Sequence, residues 1–130
     1  MAVDGGHGRP PIEGVSDLRS VLYFVLFPNT LVSLHPDYVM LHTLWPRAAN
    51  RTEVVCEWFF EPETMAANGF DPSDAVDFWD QVNREDWSVC RLAQLGMSTP
   101  GFTPGRYTTQ EGDVHRFDLM VADRYLEAAR

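Results

Sequence analysis

The stretch "TLVSLHPDYVMLHTLWPRAANRTEVVCEWFFE", residues 30–61, decides the fold. It is rich in β-branched and aromatic residues and is interrupted at Pro36 and at the turn-like "RAAN". Acidic and apolar residues alternate from Glu53 to Trp58, which is typical of a strand with one buried face. Because the links between these segments are short, they predict an antiparallel meander with one covered face.

Two segments on the amino-terminal side extend this interpretation. "SVLYFVLFPN", residues 20–29, is a near-continuous apolar run of strand length that ends at Pro28-Asn29. Residues 1–18 are rich in Gly and Pro and have no apolar period, so they predict a flexible tail or connector. The first strand is therefore expected to begin near residue 20.

Two helices are predicted on the carboxyl-terminal side. After a predicted loop over residues 61–70, Asp71 as N-cap and Pro72 at the first helical position begin a helix that runs to Gly96. "TTQE", residues 108–111, reads as a capping box before a last helix. That helix should carry an inward apolar stripe made of Val114, Phe117, Val121 and Tyr125. The order predicts an α+β fold, with one mid-chain helix and a long C-terminal helix on an antiparallel sheet.

Composition excludes several classes of protein. The chain has 130 residues and a net charge of −9, so it is one acidic domain without the basic patch that nucleic acids or anionic membranes need. No apolar run approaches the roughly 20 residues that span a bilayer, and the start lacks a secretory signal. Cys56 and Cys90 stand alone, as buried reduced thiols of a cytosolic protein do. These features predict a cytoplasmic protein that binds neither nucleic acid nor membrane.

One carboxylate of the mid-chain helix is expected on its apolar side. At about 100° per residue, Asp86 shares that side with Trp79, Val82 and Cys90, whereas the other acids of the helix point away. A buried carboxylate needs a partner. Three interpretations stay open: a neighbouring Arg or cluster of backbone N–H groups, a metal or catalytic role, or a position that is not buried after all.

Four motifs occur in one order between residues 26 and 117: "LFPNTL", "HPDYVMLHTLWP", "DPSDAVDFWDQVNREDWSVCRLAQLG" and "PGRYTTQEGDVHRF". In the third motif, the acidic pair Glu85-Asp86 is followed after seven residues by Gln94-Leu95-Gly96. This arrangement resembles the C-terminal part of the catalytic domain of Rieske-type aromatic-ring-hydroxylating oxygenase α subunits, around their iron-binding Asp. The resemblance implies a partial helix-grip (Bet v 1/START-like) domain over residues 19–130, and it implies that Asp86 is a ligand of a mononuclear non-haem Fe(II).

The resemblance also implies an activity. Complete enzymes of this kind hydroxylate an aromatic or other organic substrate with O2. The electrons come from NAD(P)H through a reductase or ferredoxin and a Rieske [2Fe–2S] cluster, and the subunits commonly form homotrimers. Some relatives oxidise quaternary amines such as choline, and the sequence leaves both substrate classes open.

Four further residues are candidates for the substrate pocket if Asp86 faces iron. Val82 and Cys90 lie one helical turn either side of Asp86, and Trp79 lies two turns back. His42 could reach the cavity from the sheet. Each has a plainer interpretation as a core residue, and for His42 that is a hydrogen-bonded core histidine.

The chain departs from the family in its other ligands. It has no Cys-x-His and Cys-x-x-His motifs, so the Rieske domain is absent from it. The family's two iron-binding histidines are spaced five residues apart, and no two of His7, His35, His42 and His115 have that spacing. We therefore expect a fragment that is inert alone. The alternatives are a non-enzymatic helix-grip domain that binds a small molecule, and a subunit that completes a split oxygenase.

Overall fold

The computed structural model describes residues 8–130. Four strands come first along the chain, and three helices follow them. The elements are β1 (Leu22–Leu26), β2 (Thr30–Leu34), β3 (Val39–Ala48), β4 (Arg51–Phe59), α1 (Pro62–Ala66), α2 (Ser73–Met97) and α3 (Gly112–Ala128).

The strands form one antiparallel sheet in the order β1-β2-β3-β4. Its register places Leu31 of β2 opposite His42 of β3, and His42 opposite Cys56 of β4. The predicted meander and the α+β class are therefore confirmed. The short helix α1 lies within the predicted loop. Pro62 in its first turn favours a helical start there.

The predicted cap forms at the start of α2 but not at the start of α3. An Asp71 carboxylate oxygen accepts a hydrogen bond from the Ser73 N–H at 2.9 Å, which confirms the predicted cap of α2. The Glu111 carboxylate accepts one from the Thr108 N–H at 2.6 Å, but α3 begins at Gly112 with Glu111 as its N-cap and has no side-chain cap bond, so the capping box predicted for residues 108–111 is wrong for this helix start.

A small core lies between the middle of the sheet and the first turns of α2. Its buried apolar residues are Tyr38, Met40 and Ala75, and Met40 has no exposed surface at all. Partly buried side chains surround them: Cys56, Trp58, Phe60 and Trp79. The start of α2 is therefore the part of the helix that packing holds on the sheet.

Much apolar surface elsewhere is exposed. All five residues of β1 are exposed, and so is every residue of α2 from Arg84 onward except Gln94. The inward stripe predicted for α3 is wrong for this chain, because α3 has no buried residue and only Met120 and Val121 are even half-buried. No helix within residues 8–130 is long and apolar enough to cross a membrane.

The chain divides into two compact units, one up to Arg91 and one over Leu92–Arg130. Within the first unit, residues 8–18 contain no helix or strand, and their role as a flexible connector stays a prediction. They are nevertheless bonded to the sheet, since the Ile12 N–H donates to the Pro36 carbonyl at 2.7 Å. His7 lies outside the described residues.

Candidate functional site

An open cavity of about 500 Å³ lies beside the first turns of α2. Another part of its wall comes from residues 18–21, which lead into β1, and from Tyr23 of β1. The wall combines aromatic and charged side chains, among them Arg9, Arg19, Tyr23, His35, Asp37, Tyr38, Asp74, Phe78 and Trp79. A space of this size and lining fits a small organic molecule.

The aromatic part of the wall is held by a hydrogen bond and ring contacts. The Trp79 Nε1–H donates to the Tyr38 hydroxyl at 2.9 Å, which ties α2 to the start of β3. The His35 ring stacks on Tyr38 with centroids 4.2 Å apart and meets Trp79 edge-on at 5.6 Å. Burial raises the pKa of Tyr38 to about 12, so its hydroxyl stays protonated at physiological pH.

His35 is a buried imidazole that the sequence did not single out. It is only 5% exposed, and its Nε2 has no hydrogen-bond partner within residues 8–130. Burial lowers its pKa from the usual value of 6.5, and the charge of Asp37 opposes that shift. The ring is therefore neutral at physiological pH. Its place before Pro36 in the turn between β2 and β3 gave no sequence signal beyond the turn itself.

We expect His35 to make the protein less stable in mild acid. Its pKa is lower in the folded chain than in the unfolded chain, so its contribution is complete above pH 6.5 and is lost as the pH falls through the folded pKa. Urea unfolding between pH 7 and pH 5 should show stability falling with pH, and His35→Gln should flatten that slope. His115→Gln, on the exposed surface of α3, should leave the slope unchanged. An unchanged slope in His35→Gln would contradict the assignment.

Arg9 joins the connector to two acids of the cavity wall. Its Nε donates to Asp37 at 2.9 Å, and its two terminal nitrogens donate to the two carboxylate oxygens of Asp74 at 2.7 Å each. The guanidinium also lies 5.2 Å from the centre of the Phe60 ring. Hydrogen bonding to Asp74 is the largest cause of its raised pKa, and burial opposes it. Nothing in "GHGRPP" signals this role, because the partners are distant in sequence.

A second polar group lies under α2. Asn83 is buried, and its side-chain oxygen lies 3.2 Å from the His42 Nε2, so His42 is the donor. The Asn83 amide donates to the Cys56 sulfur at 3.6 Å. Burial raises the pKa of the Cys56 thiol, which keeps it protonated. His42 is therefore a hydrogen-bonded histidine at the edge of the core.

Asp86 is exposed, which agrees with the third interpretation left open for it, a position that is not buried after all. The helical phase was correct, since Ala75, Trp79 and Val82 on the same side are buried or half-buried. Beyond Asn83, however, every residue of α2 up to Ala93 is exposed, apolar ones such as Trp87 included. Phase alone indicates a side of the helix, whereas burial requires a neighbouring element.

Two of the four predicted pocket residues line the cavity and two do not. Trp79 and Val82 line the cavity, whereas Cys90 is a free and exposed thiol on the later part of α2. His42 contacts the Trp79 ring at 6.1 Å but is not part of the cavity wall. Whether these residues touch a substrate stays a prediction.

The donor side chains of residues 8–130 do not by themselves form a metal site. Within residues 8–130, no group of three or more His, Cys, Asp or Glu side chains is placed to hold an ion. Asp86 offers one carboxylate on an exposed face, and an octahedral iron site of the facial-triad type needs two imidazoles beside it. Any iron would therefore need ligands from outside these residues.

Comparison with known proteins places the chain in a family. The family model "Ring hydroxylating alpha subunit (catalytic domain)" matches residues 1–127. The glycine betaine monooxygenase oxygenase subunit of Pseudomonas aeruginosa is 26% identical over 130 residues, which cover 97% of this chain and 30% of that protein. No solved structure matches the chain.

Plant proteins match it as well. The chloroplastic choline monooxygenase of Spinacia oleracea is 22% identical over 121 residues, covering 92% of this chain and 27% of that protein. That of Beta vulgaris is 24% identical over 101 residues, covering 76% of this chain and 22% of that protein. The chain thus spans less than a third of the length of these relatives. Since the family model covers nearly all of its residues, the chain belongs to the ring-hydroxylating α-subunit catalytic-domain family.

Proposed function

We propose that this chain supplies Asp86 as the carboxylate ligand of a mononuclear non-haem iron, in an oxygenase whose two histidine ligands lie outside these 130 residues. The observation that carries the proposal is the family match over residues 1–127, together with the family's Glu-Asp and Gln-x-Gly spacing. Asp86 also forms no ion pair or hydrogen bond within the described chain, whereas Asp80 and Glu85 on the same helix do. Its oxygens are therefore available to a cation.

The cavity beside α2 is the proposed site of a small organic substrate. Trp79 and Val82 give it an apolar wall on the side of the helix that also carries Asp86. Such a wall excludes water from a bound substrate. In the complete protein, which we propose is of helix-grip type, iron would supply the activation of O2.

The rest of the enzyme follows from the family resemblance alone. The complete protein would take electrons from NAD(P)H through a reductase or ferredoxin and a [2Fe–2S] cluster, and would assemble as a homotrimer. Its substrate would be an aromatic compound or a quaternary amine. Glycine betaine and choline appear in the names of the relatives.

The test compares iron binding with and without the missing ligands. The chain alone should bind no stoichiometric Fe(II) under anaerobic conditions, because one carboxylate competes poorly with water. Co-expressed with a polypeptide that carries the family's histidine pair, it should retain stoichiometric iron, measured by elemental analysis of the purified complex. Asp86→Asn should lower that iron content at least about tenfold.

Glu85→Gln is the matched control, because Glu85 is the neighbouring acid and is also exposed. It should leave the iron content of the complex unchanged. The proposal fails if Asp86→Asn keeps its iron, or if the chain by itself binds Fe(II) tightly.

Two alternatives have an observation in their favour. The cavity is complete within the first unit of the chain, which favours a non-enzymatic binding domain; binding that is equal in metal-free and metal-loaded samples would support it. The exposed apolar strand β1 favours a subunit that completes a split oxygenase. Histidine and Rieske motifs in the coding sequence directly upstream would distinguish a fragment of an oxygenase from a stand-alone domain.

A further inference from the structure

The cavity wall carries two carboxylates, but a basic side chain of the same wall already uses them. Asp37 and Asp74 both accept hydrogen bonds from Arg9. The side chain of Arg9 is only 9% exposed, so this contact is formed mainly away from solvent. Two acids beside aromatic rings would otherwise attract an organic cation.

The charges on the wall are balanced. Arg9 and Arg19 are its basic side chains, and Asp37 and Asp74 are its acidic ones. His35 adds no charge, because burial keeps it neutral. A ligand entering the cavity therefore meets no uncompensated negative charge on the wall.

A quaternary ammonium group cannot take the place of Arg9. The guanidinium donates three N–H hydrogen bonds to the two carboxylates in a fork geometry. A quaternary ammonium nitrogen carries four carbon substituents and no N–H, so it cannot donate these hydrogen bonds. Arg9 also lies over the Phe60 ring, where a cation–π contact would form. The carboxylate contacts that would recognise an organic cation are thus made within the chain, whereas the aromatic rings of the wall remain open to either kind of ligand.

We infer that Arg9 is a specificity-determining residue, which makes the cavity prefer an uncharged organic molecule to an organic cation. A neutral side chain at position 9 would remove the cation that Asp37 and Asp74 share and shift that preference toward an organic cation. The inference rests on the proposed function only in taking this cavity as the substrate site.

The first experiment uses the unmodified chain and two ligands of the same shape. Choline carries a quaternary nitrogen, and 3,3-dimethylbutan-1-ol has a carbon in its place. Calorimetric titration of metal-free protein should show that the alcohol binds at least as tightly as choline. Choline binding about tenfold more tightly than the alcohol would overturn the inference, and so would the absence of binding by either ligand.

The second experiment changes the residue. Arg9→Met should shift the ratio of the two dissociation constants at least about tenfold toward choline. Arg19→Met is the matched control, because Arg19 lines the cavity but is exposed and its side chain bonds to neither acid, and it should shift the ratio much less. If Arg9 had a purely structural role, Arg9→Met would weaken the binding of both ligands equally and leave the ratio of their dissociation constants unchanged. That result would also overturn the inference.

The two proposals fail separately. Near-ultraviolet circular dichroism checks that Arg9→Met is folded. If the variant is not folded, the relative affinity of the unmodified chain for the two ligands still tests the inference. If Asp86→Asn retained its iron, the proposal that Asp86 is an iron ligand would fail, and the inferred ligand preference of the cavity would still stand. If the unmodified chain preferred choline, the inference about Arg9 would fail, and the proposal that Asp86 is an iron ligand would still stand.

Discussion

Arg9→Ala is expected to lower the free energy of unfolding by about 3 kcal/mol, which corresponds to more than a hundredfold change in the folding equilibrium. The substitution removes three hydrogen bonds to carboxylates, a fourth to the Asp71 carbonyl, and the contact with Phe60. It also leaves Asp37, which is buried, without its cation. Breaking a buried pair from one side is costly because the remaining charge stays desolvated.

Urea unfolding of the wild type and Arg9→Ala at pH 7 measures this loss. Arg47→Ala is the matched control: Arg47 pairs with Glu53 at 2.8 Å, but both side chains are about half exposed, at 52% and 53%. That exposed pair should contribute less than about 1 kcal/mol. Equal effects of the two substitutions would show that the Arg9 contacts do not hold the connector in place.

Met40→Ala is expected to cost about 3 kcal/mol as well, within the usual range of 2–5 kcal/mol for such core truncations. Met40 lies in β3, has no exposed surface and is the only fully buried large side chain among the described residues. Its removal leaves a cavity at the centre of a core that has few other members, so neighbouring side chains have little freedom to refill it.

Met65→Ala is the control for that substitution, because Met65 lies on α1 and is 50% exposed. It should change stability by less than about 0.5 kcal/mol. Thermal or urea unfolding compares the two, and a small loss in Met40→Ala would mean that the core between the sheet and α2 is not the main source of stability.

Local chemistry explains why the elements could be predicted. Alternation from Glu53 to Trp58, the break at Pro36 and the cap at Asp71 all act over a few residues, so a single sequence contains the whole signal. The helix α1 was missed because its five residues resemble a loop with Pro at its start.

Long-range contacts explain the rest. Arg9 meets Asp74 across 65 positions, and no local pattern encodes such a contact. The helical phase of Asp86 follows from the sequence, but its exposure depends on whether another element packs on α2 beyond Asn83, which the helix sequence does not encode. His35 looked like a turn residue, and only the packing of Tyr38 and Trp79 around it reveals a buried imidazole.

The strand β1 has a consequence for the life of the protein in a cell. It is an edge strand whose five residues, LYFVL, include no charge and no proline, and its pairing with β2 contains no bulge. Edge strands of natural proteins usually carry a charge, a proline or a bulge, because these features prevent strand pairing between molecules. In a newly synthesised chain, binding of a partner segment to this edge therefore competes with self-association into aggregates. Self-association becomes more favourable as the concentration of the chain rises.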